Sequence, residues 1–194
     1  MDARLLAHVD QTIRAAEARA GNWIVCKPGC TECCMGPFPI NALDAARLQQ
    51  GLAELPPARR DALVARAAQQ VAALRDDFPG DAATGVLTED EDQRAPFFTR
   101  HERLPCPALD PESNLCELFA HRPLSCRTIG PPIRLGETDL PPCELCFVGA
   151  DPAEIERCRI EPDPNDYEGR VLAALERKRG PGGESIVAFA LSRS

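Results

Sequence analysis

Four cysteines fall within nine residues, Cys26-Lys27-Pro28-Gly29-Cys30-Thr31-Glu32-Cys33-Cys34, and six more follow at Cys106, Cys116, Cys126, Cys143, Cys146 and Cys158. No other feature limits so strongly what the chain can fold around. With one Trp, one Tyr and seven Phe, it commits ten residues to sulfur and few to aromatic packing. Zinc and iron–sulfur centres take thiolates in roughly tetrahedral arrangement, usually supplied as close pairs from tight turns. Cys30-x2-Cys33 and Cys143-x2-Cys146 are such pairs, and Pro28-Gly29 suits a sharp turn between Cys26 and Cys30. One pair alone would be a weak signal. Two pairs, with single cysteines beside prolines, point to folding that gathers distant thiols around zinc or iron.

Disulfides are the competing use of so many thiols. Ten cysteines in 194 residues is about 5%, below the roughly 8–10% of short secreted disulfide scaffolds. The first ten residues carry charge throughout and no continuous apolar core, which is not the pattern of a signal peptide. A cytoplasmic location is therefore expected, and there clustered cysteines bind metal or catalyse rather than pair. No apolar run approaches the roughly 20 residues that span a bilayer, so no membrane association is expected. Lys plus Arg is 22 against 30 Asp plus Glu, a net charge of −8, and a chain this acidic is a poor nucleic-acid binder. A protein partner is left unspecified.

The periodicity of Leu5, Leu6, Val9, Ile13, Ala16 and Ala20 predicts a helical N-terminal segment over 2–20, stopped by Gly21-Asn22. Trp23-Ile24-Val25 reads as core. After an extended Gly36 to Ile40, Asn41 caps a helix that carries Leu43, Ala46 and Leu48 and breaks near Gly51. Pro57 suits the first position of the longest helix, running on to Asp77 with Leu63, Val64, Ala67, Val71 and Leu74 in one stripe. Residues 78–103 show no clear period, and the acidic run Thr88 to Asp92 reads as a solvated loop before a metal-attracting patch. Asp110 to Asn114 is a turn between two short extended segments, and prolines keep 131–142 irregular. Pro152 opens a short helix holding Ile155 and Cys158, a second runs from Asp166 to Arg179, and Gly180 to Gly183 is a hinge. Residues 185–191 add a strand or dock as an apolar arm.

Cys33 and Cys34 pose a separate question, because neighbouring side chains diverge. Either one is a ligand and the other is packed, or each serves a different metal in a polynuclear site. The second is favoured, since ten thiols exceed one tetrahedral set. Thiolates around a divalent ion leave excess negative charge, which Arg122, Arg127 and Arg134 lie near enough in sequence to offset. For Arg134, pairing with surface acids is an equal reading. His121 is a possible nitrogen ligand, with a helix-end or hydrogen-bonding role favoured; His8 and His101 lack a partner pattern.

Together, Cys26-x3-Cys30-x2-Cys33-Cys34, Cys106-Pro107-Ala108-Leu109 and the block Cys116-Glu117-Leu118-Phe119-Ala120-His121-Arg122-Pro123-Leu124-Ser125-Cys126-Arg127 resemble the YkgJ-like CxxCxxCC cysteine-cluster family of zinc- or iron-chelating domains. The last block carries the resemblance, although Phe119 stands where the family often has Tyr. The resemblance implies zinc or iron, with a 4Fe–4S cluster as one form. It implies Cys26, Cys30, Cys33, Cys34, Cys106, Cys116 and Cys126 as metal ligands. Cys143 and Cys146 join that set on spacing alone, and the role of Cys158 is open. Some relatives are lysine N-methylases of considerably longer chain, but no nucleotide-binding loop is evident here.

The expected fold is mostly α with irregular, cysteine-rich loops and at most a few short strands, a small α+β single domain built around a metal site. It would occupy 1–194, with a core at about 23–146 and C-terminal helices and an arm over 152–194. The expected function is metal binding through clustered thiolates, in metal handling, redox or an accessory role. A cluster-dependent enzyme related to protein lysine N-methylases is the first alternative, and a closed structural zinc module for protein interaction the second. No catalytic residue is assigned.

Overall fold

The computed structural model describes residues 3–180 and 182–192. The expected class holds: about 52% of the described residues are helical, with only short strands. In chain order the elements are α1 (Ala3–Ala20), β1 (Pro39–Ile40), α2 (Ala42–Glu54), α3 (Pro57–Leu74), β2 (Gly80–Asp81), β3 (Val86–Leu87) and α4 (Glu91–Arg100). Then come α5 (Leu124–Thr128), β4 (Ile133–Leu135), β5 (Thr138–Leu140), α6 (Pro152–Arg157), α7 (Tyr167–Arg179), β6 (Ser185–Ile186) and α8 (Val187–Ser192). The described strands pair antiparallel in twos, β1 with β6, β2 with β3 and β4 with β5. No described helix is long and apolar enough to cross a membrane.

The chain divides into two compact units. The first comprises the chain up to Pro28 with Leu124–Leu175, and the second Gly29–Pro123 with the chain from Glu176 onward. In the first unit, α1 turns Leu5, Val9, Ile13 and Ala16 onto Ile133 and Ile160, as its periodicity predicts. Arg127 of α5 donates through Nη1 to both carboxylate oxygens of Asp10, at 2.9 and 3.1 Å, holding α5 against α1. A second apolar cluster joins Ala20, Cys146, Phe147 and Cys158, with Trp23, Ile24, Cys143 and Ile155 packed on it. Trp23 and Ile24 are thus partly buried against this core, whereas Val25 is 48% exposed.

In the second unit, α8 is the central element. Val187, Ala190 and Leu191 pack against Leu48 and Leu52 of α2 and Leu63 and Ala67 of α3. Phe189, on the other side of α8, meets Phe78, with ring centroids 4.6 Å apart, in a cluster that includes Leu74 and Phe97. Burying each such side chain contributes roughly 1.5–3 kcal/mol. The 185–191 segment therefore does both things its sequence allowed: β6 pairs Ile186 with Pro39, and the chain then winds into α8.

Local chemistry sets several boundaries. Asn41 Oδ1 accepts from the N–H groups of Leu43 and Asp44, and Pro57 occupies the first turn of α3, both as predicted. Four expectations are corrected. Gly51 does not end α2, which continues to Glu54, and its missing side chain makes room for His121. The helix expected to be longest stops at Leu74 rather than Asp77, which makes α3 equal in length to α1. Residues 78–103 hold the β2–β3 ribbon and α4, whose N-cap Asp90 comes from the acidic run and accepts from the N–H of Asp92. Residues 131–142 form the β4–β5 ribbon, with Gly136 in the left-handed region at its turn. Part of the predicted hinge, Pro181, lies outside the described residues, as does Asp2 at the start of the predicted first helix.

Candidate metal centre

All ten cysteines are thiols, none joined as a cystine. In the second unit the chain leaves the turn at Gly29 (φ +89°) through Cys30 and winds into a 3₁₀ turn over Glu32–Cys34. The Cys34 N–H donates to the Thr31 carbonyl at 2.8 Å. This winding sets how far apart the Cys33 and Cys34 side chains point. A 3₁₀ turn rotates successive side chains by only about 120°, where an extended pair would face opposite sides. The Cys34 thiol accordingly influences the ionisation of Cys33.

The next block is laid beside this turn by backbone bonds. Gly36 N–H donates to Leu104 O at 2.8 Å and Cys106 N–H to Cys34 O at 2.7 Å, flanking an antiparallel bridge between Met35 and Pro105. Gln70 of α3 holds the same segment by donating to the Pro105 carbonyl. Leu109 and Cys116 then form a second antiparallel bridge, with Glu117 N–H donating to Ala108 O at 2.8 Å. The predicted turn at Asp110 to Asn114 is therefore real, with Asn114 left-handed at φ 55°. Arg66 and Arg59 of α3 both pair with Glu117, fixing the residue after Cys116.

Cys33, Cys34, Cys106 and Cys116 are half-buried and sense one another electrostatically. The Cys34 S–H donated to Cys33, aided by the Arg122 guanidinium, lowers Cys33 to about 6. Cys34 is pushed far up, first as donor in that bond, then by burial and by the three neighbouring sulfurs. Burial pushes Cys106 up to about 12 and also raises Cys116, against which Arg122 works. Arg122 lies 4.0 Å over the ring of Phe119, itself 61% exposed. His121 takes the predicted hydrogen-bonding role, its Nε2 standing 2.9 Å from Glu54 Oε2 of α2.

The first unit holds the other thiols. Cys26 is exposed, and its Sγ stands 4.0 Å from that of buried Cys146. Cys143 begins the turn that ends at Cys146, Cys158 caps the C-terminus of α6, and Cys126 sits on α5. Arg134 pairs with Asp139 and Glu156, the surface-acid role, and Arg127 with Asp10.

Residues 25–138 match the family described as "CxxCxxCC: Putative zinc- or iron-chelating domain". The chain belongs to this family. The matched stretch exceeds half of the chain and contains Cys26, Cys30, Cys33, Cys34, Cys106, Cys116 and Cys126, but not Cys143, Cys146 or Cys158. Metal binding, of zinc or iron, is the general property that membership carries. Neither the curated proteins nor the solved structures contain a match.

The family's metals fit the donors present, since clustered sulfur is what zinc and iron–sulfur centres take. Among the described residues, no three Cys, His, Asp or Glu side chains already converge on one point at ligand distance. Closing around an ion would therefore require thiol rotation, the usual coupling of metal binding to local order. The sequence left unseen the parts that steady the site: Gly51 under His121, and Glu117 between two arginines. Glu117 lies inside the family block, whereas Gly51 resembled a helix end.

Proposed function

We propose that the second unit binds zinc or iron through thiolates drawn from Cys30, Cys33, Cys34, Cys106 and Cys116, in a cytoplasmic protein of metal handling, redox or accessory role. The observation that supports this most is that backbone pairing lays the segments carrying Cys33, Cys34, Cys106 and Cys116 side by side. When bound, the ion or cluster supplies concentrated positive charge, and for iron–sulfur a site of electron transfer. The chain's own residues do the rest. The Glu32–Cys34 turn and the Pro105-Cys106 segment orient the sulfurs. Arg122 offsets thiolate charge. Cys34, Cys106 and Cys116 are thiols at neutral pH, so each must release a proton on coordination. The working unit is proposed to be the whole chain, as one domain.

A second reading, an enzyme whose metal acts on substrate, has one observation in its favour. An apolar crevice lined by Pro37, Phe38, Leu104, Pro105 and Val187 borders Cys106. Such chemistry would need an open coordination position, whereas a structural zinc is closed by protein sulfur. The deciding experiment is anaerobic purification with elemental analysis and a visible spectrum. Brown protein with iron and acid-labile sulfide assigns a cluster, and colourless protein with stoichiometric zinc assigns zinc. Protein that takes up neither metal under reducing conditions overturns the proposal.

A further inference from the structure

The first unit brings together four cysteines, three of which lie beyond the family match. Two backbone ties place Cys26 against the Cys143-to-Cys146 turn. Phe147 N–H donates to Trp23 O at 2.8 Å, and Cys143 N–H donates to Gly130 O at 3.2 Å. Gly130, left-handed at φ +124°, is the residue that Cys26 lies against, since a Cβ there would stand 3.4 Å from Cys26 Sγ. Within the turn, Cys146 N–H donates to Cys143 O at 2.8 Å, and the next residue, Phe147, is held at φ 57°. A bulky residue in the left-handed region is an outlier that persists only where its surroundings impose it. Here it turns the chain just after the second cysteine, where the Phe147 N–H reaches Trp23 O. Trp23 Nε1 donates to Glu154 Oε1 at 3.2 Å, tying α6 to the same segment, and Cys158 at the end of α6 is buried in the cluster that holds Cys146 and Cys143.

The Cys26–Cys146 separation of 4.0 Å is a second, independent indication. Sulfurs about 2.3 Å from a tetrahedral zinc lie about 3.8 Å from each other. Two thiols at that spacing, with no disulfide, already span one edge of such a site.

We propose that Cys26, Cys143, Cys146 and Cys158 form a second metal site, separate from the Cys33–Cys34–Cys106–Cys116 group, for a soft divalent ion of the zinc class. Four sulfur donors and no oxygen favour such an ion over magnesium or calcium. On binding, four thiols lose four protons to solvent and four metal–sulfur bonds form, with no oxidation or reduction. The blander role, in which the buried thiols only pack as small apolar groups, is an outcome of the test.

The test uses the full chain, reduced and stripped of metal under anaerobic conditions, then loaded with Zn²⁺ alone. Elemental analysis is expected to find one zinc fewer per chain in C143S/C146S than in wild type, while C106S/C116S keeps that equivalent. Failure at the second unit's thiols would appear only in the latter variant, so the two proposals fail separately. Should C143S/C146S not fold, wild-type protein decides by timed alkylation and peptide mass mapping. Zinc is expected to slow modification of exposed Cys26 at least about tenfold, because a coordinated thiolate is withdrawn from reaction. It is also expected to protect Cys143, Cys146 and Cys158 together with it. Equal zinc in C143S/C146S and wild type, or Cys26 alkylated at the same rate with and without zinc, overturns the site. Protection that omits Cys158 overturns its assignment as fourth ligand.

Discussion

The backbone N–H of Cys106 donates to the carbonyl of Cys34 at 2.7 Å. That bond sets the last cysteine of the first block beside the opening cysteine of the next, although α2, α3 and α4 intervene in the chain. The second bridge, Leu109 with Cys116, carries the arrangement on to the block that ends in Arg122. The thiols of this unit thus ride on two short backbone pairings, steadied from α3 by Gln70, Arg66 and Arg59.

Arg122 is the cation that favours the thiolate forms of Cys33 and Cys116. Arg122→Ala is expected to weaken metal binding on the order of tenfold, the scale of losing one charge-assisted interaction. Arg122→Lys keeps the charge but loses the planar stacking over Phe119, and should fall between the two. Competition against a chromophoric chelator measures both. An Arg122→Ala protein with wild-type affinity would remove the arginine from the site.

Gly51 lets α2 approach His121, where an added Cβ would lie 2.7 Å from His121 Cβ and Cγ. Helix propensity alone would favour alanine by roughly 1 kcal/mol. The close approach outweighs this, so Gly51→Ala is expected to destabilise the protein by about 1–3 kcal/mol in urea unfolding. The Glu54–His121 hydrogen bond should be lost with it.

Cys106 is raised from an ordinary value of about 9 to about 12, so between those pH values the folded chain keeps a proton that the unfolded chain gives up. Stability from this group is complete below pH 9 and falls as pH rises toward 12. The metal-free protein should therefore melt at progressively lower temperature through that window. Metal binding at the proposed site would run the other way: coordination by Cys34, Cys106 and Cys116 would expel their protons, so affinity should strengthen with rising pH. Thermal scans of both forms, with proton release measured in weak buffer, check the two signs.

Asn41 caps α2 through its side-chain oxygen, serving two N–H groups at 2.9 and 3.0 Å. Asn41→Ala is expected to cost about 0.5–2 kcal/mol. Asn41→Asp, which preserves the acceptor, should cost much less. Paired urea titrations distinguish a lost cap from a general loss of packing.

The sequence alone determined what is local. The stripe of α1, the Asn41 cap, Pro57 at the head of α3 and the turn at Asp110 all depend on residues a few positions apart. Each follows from periodicity, backbone preference or donor type. Gly51 and Phe147 misled or escaped that reading because their conformations answer to distant neighbours, His121 in one case and Trp23 in the other. Only the tertiary structure decided which thiols share a neighbourhood: Cys33 and Cys34 with Cys106 and Cys116, and Cys26 with Cys146. Those associations rest on a few backbone bonds between segments far apart in the chain. Such a bond forms only after helices and loops have closed the distance, and no spacing rule encodes it.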